Sequence, residues 1–292
     1  MSNSVLQVKN LEKSFGKSEI LQNINLTVNK GEVYGLIGQN GAGKTTLIRL
    51  ICGLMKPSGG SITINTDRQF TGYMPQSCRF DDHNSVANTI RFFADIKKVN
   101  VRDSYALCEK LKLDMNKKVK QLSPGQQKKL QIVIAMTGDP DFYILDEPTA
   151  GLDPNATFEI MEIIKSIHKQ GKSIVVSSHI ISDMNEICTN VAILERGKLS
   201  YDHRLEESYV VTTSPVPLNV VNVLMKRYPL QMDNDNTTLY VSADKNTVSA
   251  LIKELAAYDI NVFEVSAFDV KSVVKRQMQE RKGDTLPMED GQ

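Results

Sequence analysis

Eight residues, Gly38-Gln39-Asn40-Gly41-Ala42-Gly43-Lys44-Thr45, constrain this chain more than any other stretch. They read G-x-x-x-x-G-K-[ST], a glycine-rich loop that works only between a buried strand and the start of a helix. Both flanks supply that setting. Val33-Tyr34-Gly35-Leu36-Ile37 is an apolar run suited to a buried strand, and Thr45 to Ile51 carries apolar residues at helical spacing.

The composition of the loop dictates its chemistry. Glycine lets the backbone take positive φ and approach an anion closely. Successive N–H groups from Gly38 through Asn40, Gly41, Ala42 and Gly43 to Thr46 form a nest for phosphate oxygens, reinforced by the helix N-terminus. Lys44 reaches the β- and γ-phosphates as a point charge, and the Thr45 hydroxyl is placed to ligate Mg²⁺. The bland alternative is an incidental glycine-rich turn; the strand and helix on either side argue against it.

A second apolar stretch, Phe142-Tyr143-Ile144-Leu145, ends in two acids, Asp146 and Glu147. This is the Walker B pattern: Asp146 at the strand end would hold Mg²⁺, directly or through water, and Glu147 would polarise an attacking water. Neighbouring strand residues point to opposite faces, so the strand must bend or end here for both acids to serve one site. Pro148 supports an ending. Two solvated acids at a strand exit are the alternative.

Other positions carry less information by themselves. Phe15 is an aromatic in a turn, able to stack on a base or to lie half-buried in its loop. Gln76, between Pro75 and Ser77, is either a solvated loop amide or a carbonyl oxygen aimed at Mg²⁺ or water. Leu122-Ser123-Pro124-Gly125-Gln126 opens a helix with Ser123 at N-cap, Pro124 at N1 and Gln126 at N3, a capping box that needs no functional reason. His179 directly follows the strand 173–177, whereas His83, His168 and His203 have no such setting.

The pattern predicts strands over 5–8, 20–28, 61–64 and 70–74, then helices over 86–97 and 104–113 within a helical insert spanning about 77–137. A helix over 155–169, a short helix over 180–187 and a hairpin turning at Arg196-Gly197 complete a first domain, 1–204. From 205 to 281 the order strand 208–213, helix 218–226, hairpin 230–232 and 237–241, helix 247–257, strand 262–265 is the split βαβ, ferredoxin-like pattern. A further helix is expected over 269–279, and a polar tail over 282–292.

With 292 residues there is room for one large domain or two. The net charge of +1 gives no field for nucleic acid or an anionic membrane. Cys52, Cys78, Cys108 and Cys188 lack metal or disulfide spacing and read as free thiols. The first residues lack a signal-peptide pattern, and no run approaches the ~20 apolar residues that span a bilayer.

Residues from about 5 to 201 together resemble the ATP-binding subunit of an ABC transporter. The glycine-rich loop alone would mean only some P-loop NTPase. The specific part is Leu122-Ser123-Pro124-Gly125-Gln126, similar to the family's LSGGQ signature, ahead of Asp146-Glu147 and followed by Asp153 and His179. The resemblance implies an α/β, P-loop ABC-ATPase fold with a β-rich N-terminal subdomain and the helical insert, and it implies ATP and Mg²⁺ as cofactors. It makes Phe15 the adenine-stacking aromatic, Gln76 the glutamine that senses the γ-phosphate and meets the membrane subunits, Glu147 the general base and His179 the switch histidine. Ser123, Gly125 and Gln126 would touch the nucleotide of a second subunit, and Asp153 would lie at the dimer interface.

Position 124 departs from the pattern: proline has no N–H to donate. Either ATP-driven closure is weaker for it, or Pro124 only firms the helix start.

The small second unit, with Phe268-Asp269-Val270 near its end, is similar to those of bacterial exporter ATPases for drugs, antimicrobial peptides, lantibiotics or sodium. The resemblance implies permease partners, a homodimer or a heterodimer with a related ATPase, no nucleic acid, and a place on the cytoplasmic face of the membrane. Two other readings remain: a soluble ABC-type ATPase of ribosome, DNA or iron–sulfur assembly, and a weakly hydrolysing regulatory subunit. The single P-loop and the lack of coiled-coil arms oppose the first, and the intact acid pair opposes the second.

Overall fold

A computed structural model describes residues 3–66, 71–204, 208–232 and 235–267. Two compact units emerge, Met1–His203 and Arg204–Gln292. In the first, β1 (Ser4–Phe15) and β2 (Ser18–Asn29) precede β3 (Val33–Ile37), α1 (Lys44–Ile51), β4 (Gly59–Ile64) and β5 (Thr71–Met74). Then come α2 (Val86–Lys97), α3 (Arg102–Lys110), α4 (Pro124–Met136), β6 (Phe142–Asp146), α5 (Pro154–Lys169), β7 (Ser173–Ser178), α6 (Ile181–Ile187), β8 (Asn190–Glu195) and β9 (Lys198–Arg204).

The strands make two sheets. One is antiparallel in the order β2-β1-β4; the other runs β5-β6-β7-β3-β8-β9, with β5, β6, β7, β3 and β8 parallel. Every residue of β3, β6 and β7 is buried, as expected of parallel strands covered on both faces. Register matters for the chemistry: Ile37 pairs with Ser178 and Asp146 with Ser177, so β3, β6 and β7 end level with one another. In parallel sheets the crevice beyond those ends is where ligands bind. Leu36, Leu47, Ile48, Phe142, Ile144 and Val175 share one core with the antiparallel sheet. The helical insert builds a separate cluster from Val86, Ile90, Cys108, Leu130 and Val133.

Several boundaries differ from expectation for local reasons. β1 runs on from Ser4 to Phe15 because Asn10, at φ 45°, sits at an irregularity between Val8 and Leu11 that breaks the alternation without ending the strand. α3 covers Arg102–Lys110 rather than 104–113, since Lys112 turns left-handed at φ 53°. The hairpin turn of β8 and β9 holds Arg196 and Gly197 at φ 44° and 77°, the two positive values that a tight hairpin needs. Residue 70 lies outside the described residues.

The second unit contains β10 (Ser208–Thr213), α7 (Leu218–Arg227), β11 (Leu230–Met232), β12 (Thr238–Ser242), α8 (Lys245–Ala257) and β13 (Val262–Ala267). Its sheet order, β11-β12-β10-β13 with antiparallel neighbours, is the ferredoxin-like arrangement. Val211, Leu224, Leu239, Leu251 and Leu255 are fully buried between sheet and helices. α8 begins two residues before 247 because Asp244 caps it, accepting from Thr247 N–H at 2.7 Å. The helix expected over 269–279 and the tail over 282–292 lie outside the described residues. Among the described residues no helix is long and apolar enough to cross a membrane.

Candidate active site

The glycine-rich loop leaves β3 and delivers the chain to α1. A Cβ at Gly38 would come within 2.5 Å of the Leu194 carbonyl oxygen, so only glycine fits there. Gly43, the N-cap residue of α1, adopts φ 108° and makes no side-chain cap, leaving the first-turn amides of α1 uncapped by any side chain. Gly41 also takes positive φ, Ala42 is buried, and Thr45 and Thr46 are half-buried on the opening turn of α1, whereas Asn40 is exposed. Lys44 is 6% exposed and donates to the carbonyl oxygens of Gly38 at 2.6 Å and Gln39 at 3.2 Å. Its ammonium also lies 3.2 Å from Glu147 Oε1.

Strand β6 stops at Asp146, and Glu147 turns to φ 50°. A left-handed glutamate persists only where its surroundings enforce it. This turn lets neighbouring acids face one site: Asp146 completes the strand and Glu147 swings beyond it. Ser177, opposite Asp146 in the register, donates its hydroxyl to Asp146 Oδ1 at 2.6 Å and accepts from Glu147 N–H at 3.0 Å. Asp146 Oδ2 is buried with no hydrogen-bond partner. A bare, buried carboxylate oxygen beside the cradle fits a divalent cation, the hard ligand such an ion takes.

Glu147, 3% exposed, is gripped at both oxygens: Lys44 at Oε1, and His179 Nδ1 donating to Oε2 at 2.7 Å. His179 is 43% exposed. Each contact draws electron density from the carboxylate and so weakens it as a base toward water. A triphosphate entering the loop would draw Lys44 toward phosphate oxygens and free Oε1 for that role.

Lys44, Glu147 and His179 are thus joined by direct contacts, and Ser177 ties Asp146 to Glu147. The Gln76 side chain is exposed, and only its main-chain carbonyl is tied in, accepting from Lys128 Nζ at 2.8 Å. Phe15 ends β1, 49% exposed, with the Lys13 ammonium 4.7 Å from its ring centroid, a cation–π contact. About half of its surface is open to solvent, and an exposed aromatic suits stacking.

Ser123, Gly125 and Gln126 open α4. Ser123 Oγ accepts from Gln126 N–H at 3.3 Å and Gln126 Oε1 accepts from Ser123 N–H at 3.1 Å, the expected capping box with Pro124 at N1. The Ser123 hydroxyl hydrogen stays available to donate, and so does the first-turn Gly125 N–H. Asp153 caps α5, accepting from Asn155 and Ala156 N–H at 3.0 Å each. A Cβ on Gly125 would stand 3.1 Å from the Ala156 methyl, so the starts of α4 and α5 touch.

Two residues escaped the sequence. Ser177 looked like one more residue of a buried strand. Lys128, which no sequence motif singles out, is 9% exposed on α4. Burial lowers its pKa, against the pull of the Asp146 and Glu147 charges. A lysine within the apolar stripe of α4, four residues before Ile132, was the signal available.

The ABC transporter family matches residues 21–150. The chain is similar to a lantibiotic transport ATP-binding protein of Streptococcus pyogenes, 34% identical over 212 residues, 70% of this chain and 93% of that protein. An uncharacterised ABC transporter ATP-binding protein of Bacillus subtilis is 29% identical over 287 residues, 92% of each chain. A solved structure of the ATP-binding subunit of an ABC transporter is 29% identical with a TM-score of 0.63, covering 70% of this chain and 91% of that one.

Proposed function

The chain belongs to the ABC transporter ATP-binding proteins, and from that premise we propose that it powers export of a drug, peptide or other small cargo through separate transmembrane subunits. It binds and hydrolyses ATP. The observation that carries the residue assignments is the contact of Glu147 with both Lys44 and His179 beside the bare Asp146 oxygen. Glu147 is the general base, His179 orients it, and Lys44 with the Gly38–Thr46 backbone binds the phosphates. Phe15 stacks on the adenine. Mg²⁺ would be held by Asp146 and Thr45, with Gln76 turned inward, and would neutralise phosphate oxygens.

Two subunits, identical or related, close head to tail on two nucleotides. Ser123, Gly125 and Gln126 of one then face the γ-phosphate held by the other, with Asp153 at the seam. The free Ser123 hydroxyl hydrogen and the Gly125 N–H suit that task, and Pro124 firms the helix start. The assembly sits on the cytoplasmic face of the membrane, held there by its permease. The similarity to a lantibiotic transport protein supports export.

Glu147→Gln tests the core of this reading. Turnover should fall by more than about a hundredfold, the scale of lost general-base catalysis, while ATP binding persists and size-exclusion chromatography shows an ATP-dependent dimer. Wild-type turnover in that variant would remove Glu147 from the chemistry.

A further inference from the structure

Lys128 is a buried cation that none of the roles above uses. Its ammonium donates to two main-chain carbonyls, Gln76 at 2.8 Å and Glu147 at 3.3 Å. These carbonyls belong to different segments, the chain leaving β5 and the chain leaving β6. Buried charge is costly unless its hydrogen bonds are made, and here they are made to the two turns that flank the hydrolytic centre.

The effect on Glu147 is direct. Its left-handed backbone is held at both ends: Ser177 accepts from its N–H, and Lys128, with Ala150 N–H at 3.3 Å, donates to its carbonyl. Removing a donor loosens a conformation that nothing intrinsic to glutamate favours. Lys128 also shares α4 with Ser123 and Gly125. Five residues of helix separate Ser123 from Lys128, about 7.5 Å at the usual rise. A helix of this length moves as one body, so displacement of its exposed start displaces the ammonium.

We propose that Lys128 is a positioning residue that fixes the Glu147 and Gln76 turns to α4, so that docking of a second subunit on the start of α4 is registered at the carboxylate that orients water. This rests on the reading of Glu147 as general base in a two-subunit ATPase.

The experiment uses the full chain. Lys128→Met keeps length and apolar bulk but removes both donations. Expected are a fall in kcat of roughly ten- to a hundredfold, and KM and the Kd for a fluorescent ATP analogue within about threefold of wild type. In the Glu147→Gln background the ATP-dependent dimer should still form. Closure and turnover then come apart, which a general loss of structure would not produce. Lys128→Gln, which keeps a neutral amide donor group, should give intermediate kcat, and it carries the test should the methionine variant not fold. Turnover of a folded Lys128 variant within twofold of wild type overturns the proposal. So does a parallel loss of nucleotide affinity, dimer and melting temperature. If Lys128→Met is fully active while Glu147→Gln is dead, only the coupling fails; if Glu147→Gln is itself active, the underlying reading fails.

Discussion

The two units of this chain both combine helices with sheets and differ in how they finish their strands. In Met1–His203 the parallel strands β3, β6 and β7 end level, and each exit carries polar groups: the loop Gly38–Lys44, the acids Asp146 and Glu147, then Ser178 and His179. In the second unit the antiparallel strands alternate ends, so its loops scatter to both edges of the sheet. Parallel topology gathers chemistry at one rim, whereas antiparallel topology disperses it. Burial follows the same division. The first unit inters Lys44, Lys128, Asp146 and Glu147, while the buried core of the second is aliphatic with Thr213 at its margin.

If that contrast is sound, substitutions at the rim should stop turnover and substitutions in the second core should not. Lys44→Ala should have the largest effect, abolishing measurable turnover and lowering ATP affinity by roughly ten- to a hundredfold, the worth of a lost charge-assisted phosphate contact; nucleotide titration and phosphate release read both. Unchanged affinity would break the comparison at its root. Ser177→Ala removes a donor to Asp146 and the acceptor of Glu147 N–H, and kcat should drop about ten- to a hundredfold with the fold intact by circular dichroism. Phe15→Ala should weaken ATP binding by roughly five- to tenfold while sparing kcat, since a stacked exposed ring adds about 1 kcal/mol; a matched loss with ribose triphosphate, which has no base to stack, would dismiss stacking.

The smallest effect on turnover should come from Leu251→Ala. It hollows the second core and should cost ~2–5 kcal/mol of that unit's stability, yet leave ATPase rate within twofold. Cysteine labelling sharpens the result, because all four thiols lie in the first unit. Burial, with the Asp146 charge, pushes the Cys52 thiol up to about 12, and burial with Glu109 pushes Cys108 to about 11. At pH 8 both are protonated and unreactive. Leu251→Ala should not raise their alkylation rate; a rise would show that the first unit depends on the second.

The rim was largely legible in the sequence because phosphate chemistry demands particular residues at fixed spacing. The second unit was legible for another reason: its alternating runs and turn residues leave few topologies open. Contacts across sequence were not legible. The turn of Glu147 to φ 50° reflects Ser177, thirty residues on, and Lys128 beneath it. The hold of Lys44 on Glu147 spans more than a hundred residues. The long course of β1 was hidden by its irregularity at Asn10, which breaks the alternation on which strand reading depends.

The close approach of Gly125 to Ala156 carries its own consequence. Two short side chains let the beginnings of neighbouring helices rest against each other. Any larger group at either place would wedge them apart and tilt Ser123 and Asp153 together. Neither helix start can be remodelled alone, so drift at one must be answered at the other, and a designer wishing to re-aim Ser123 or Asp153 has one hinge to adjust rather than two.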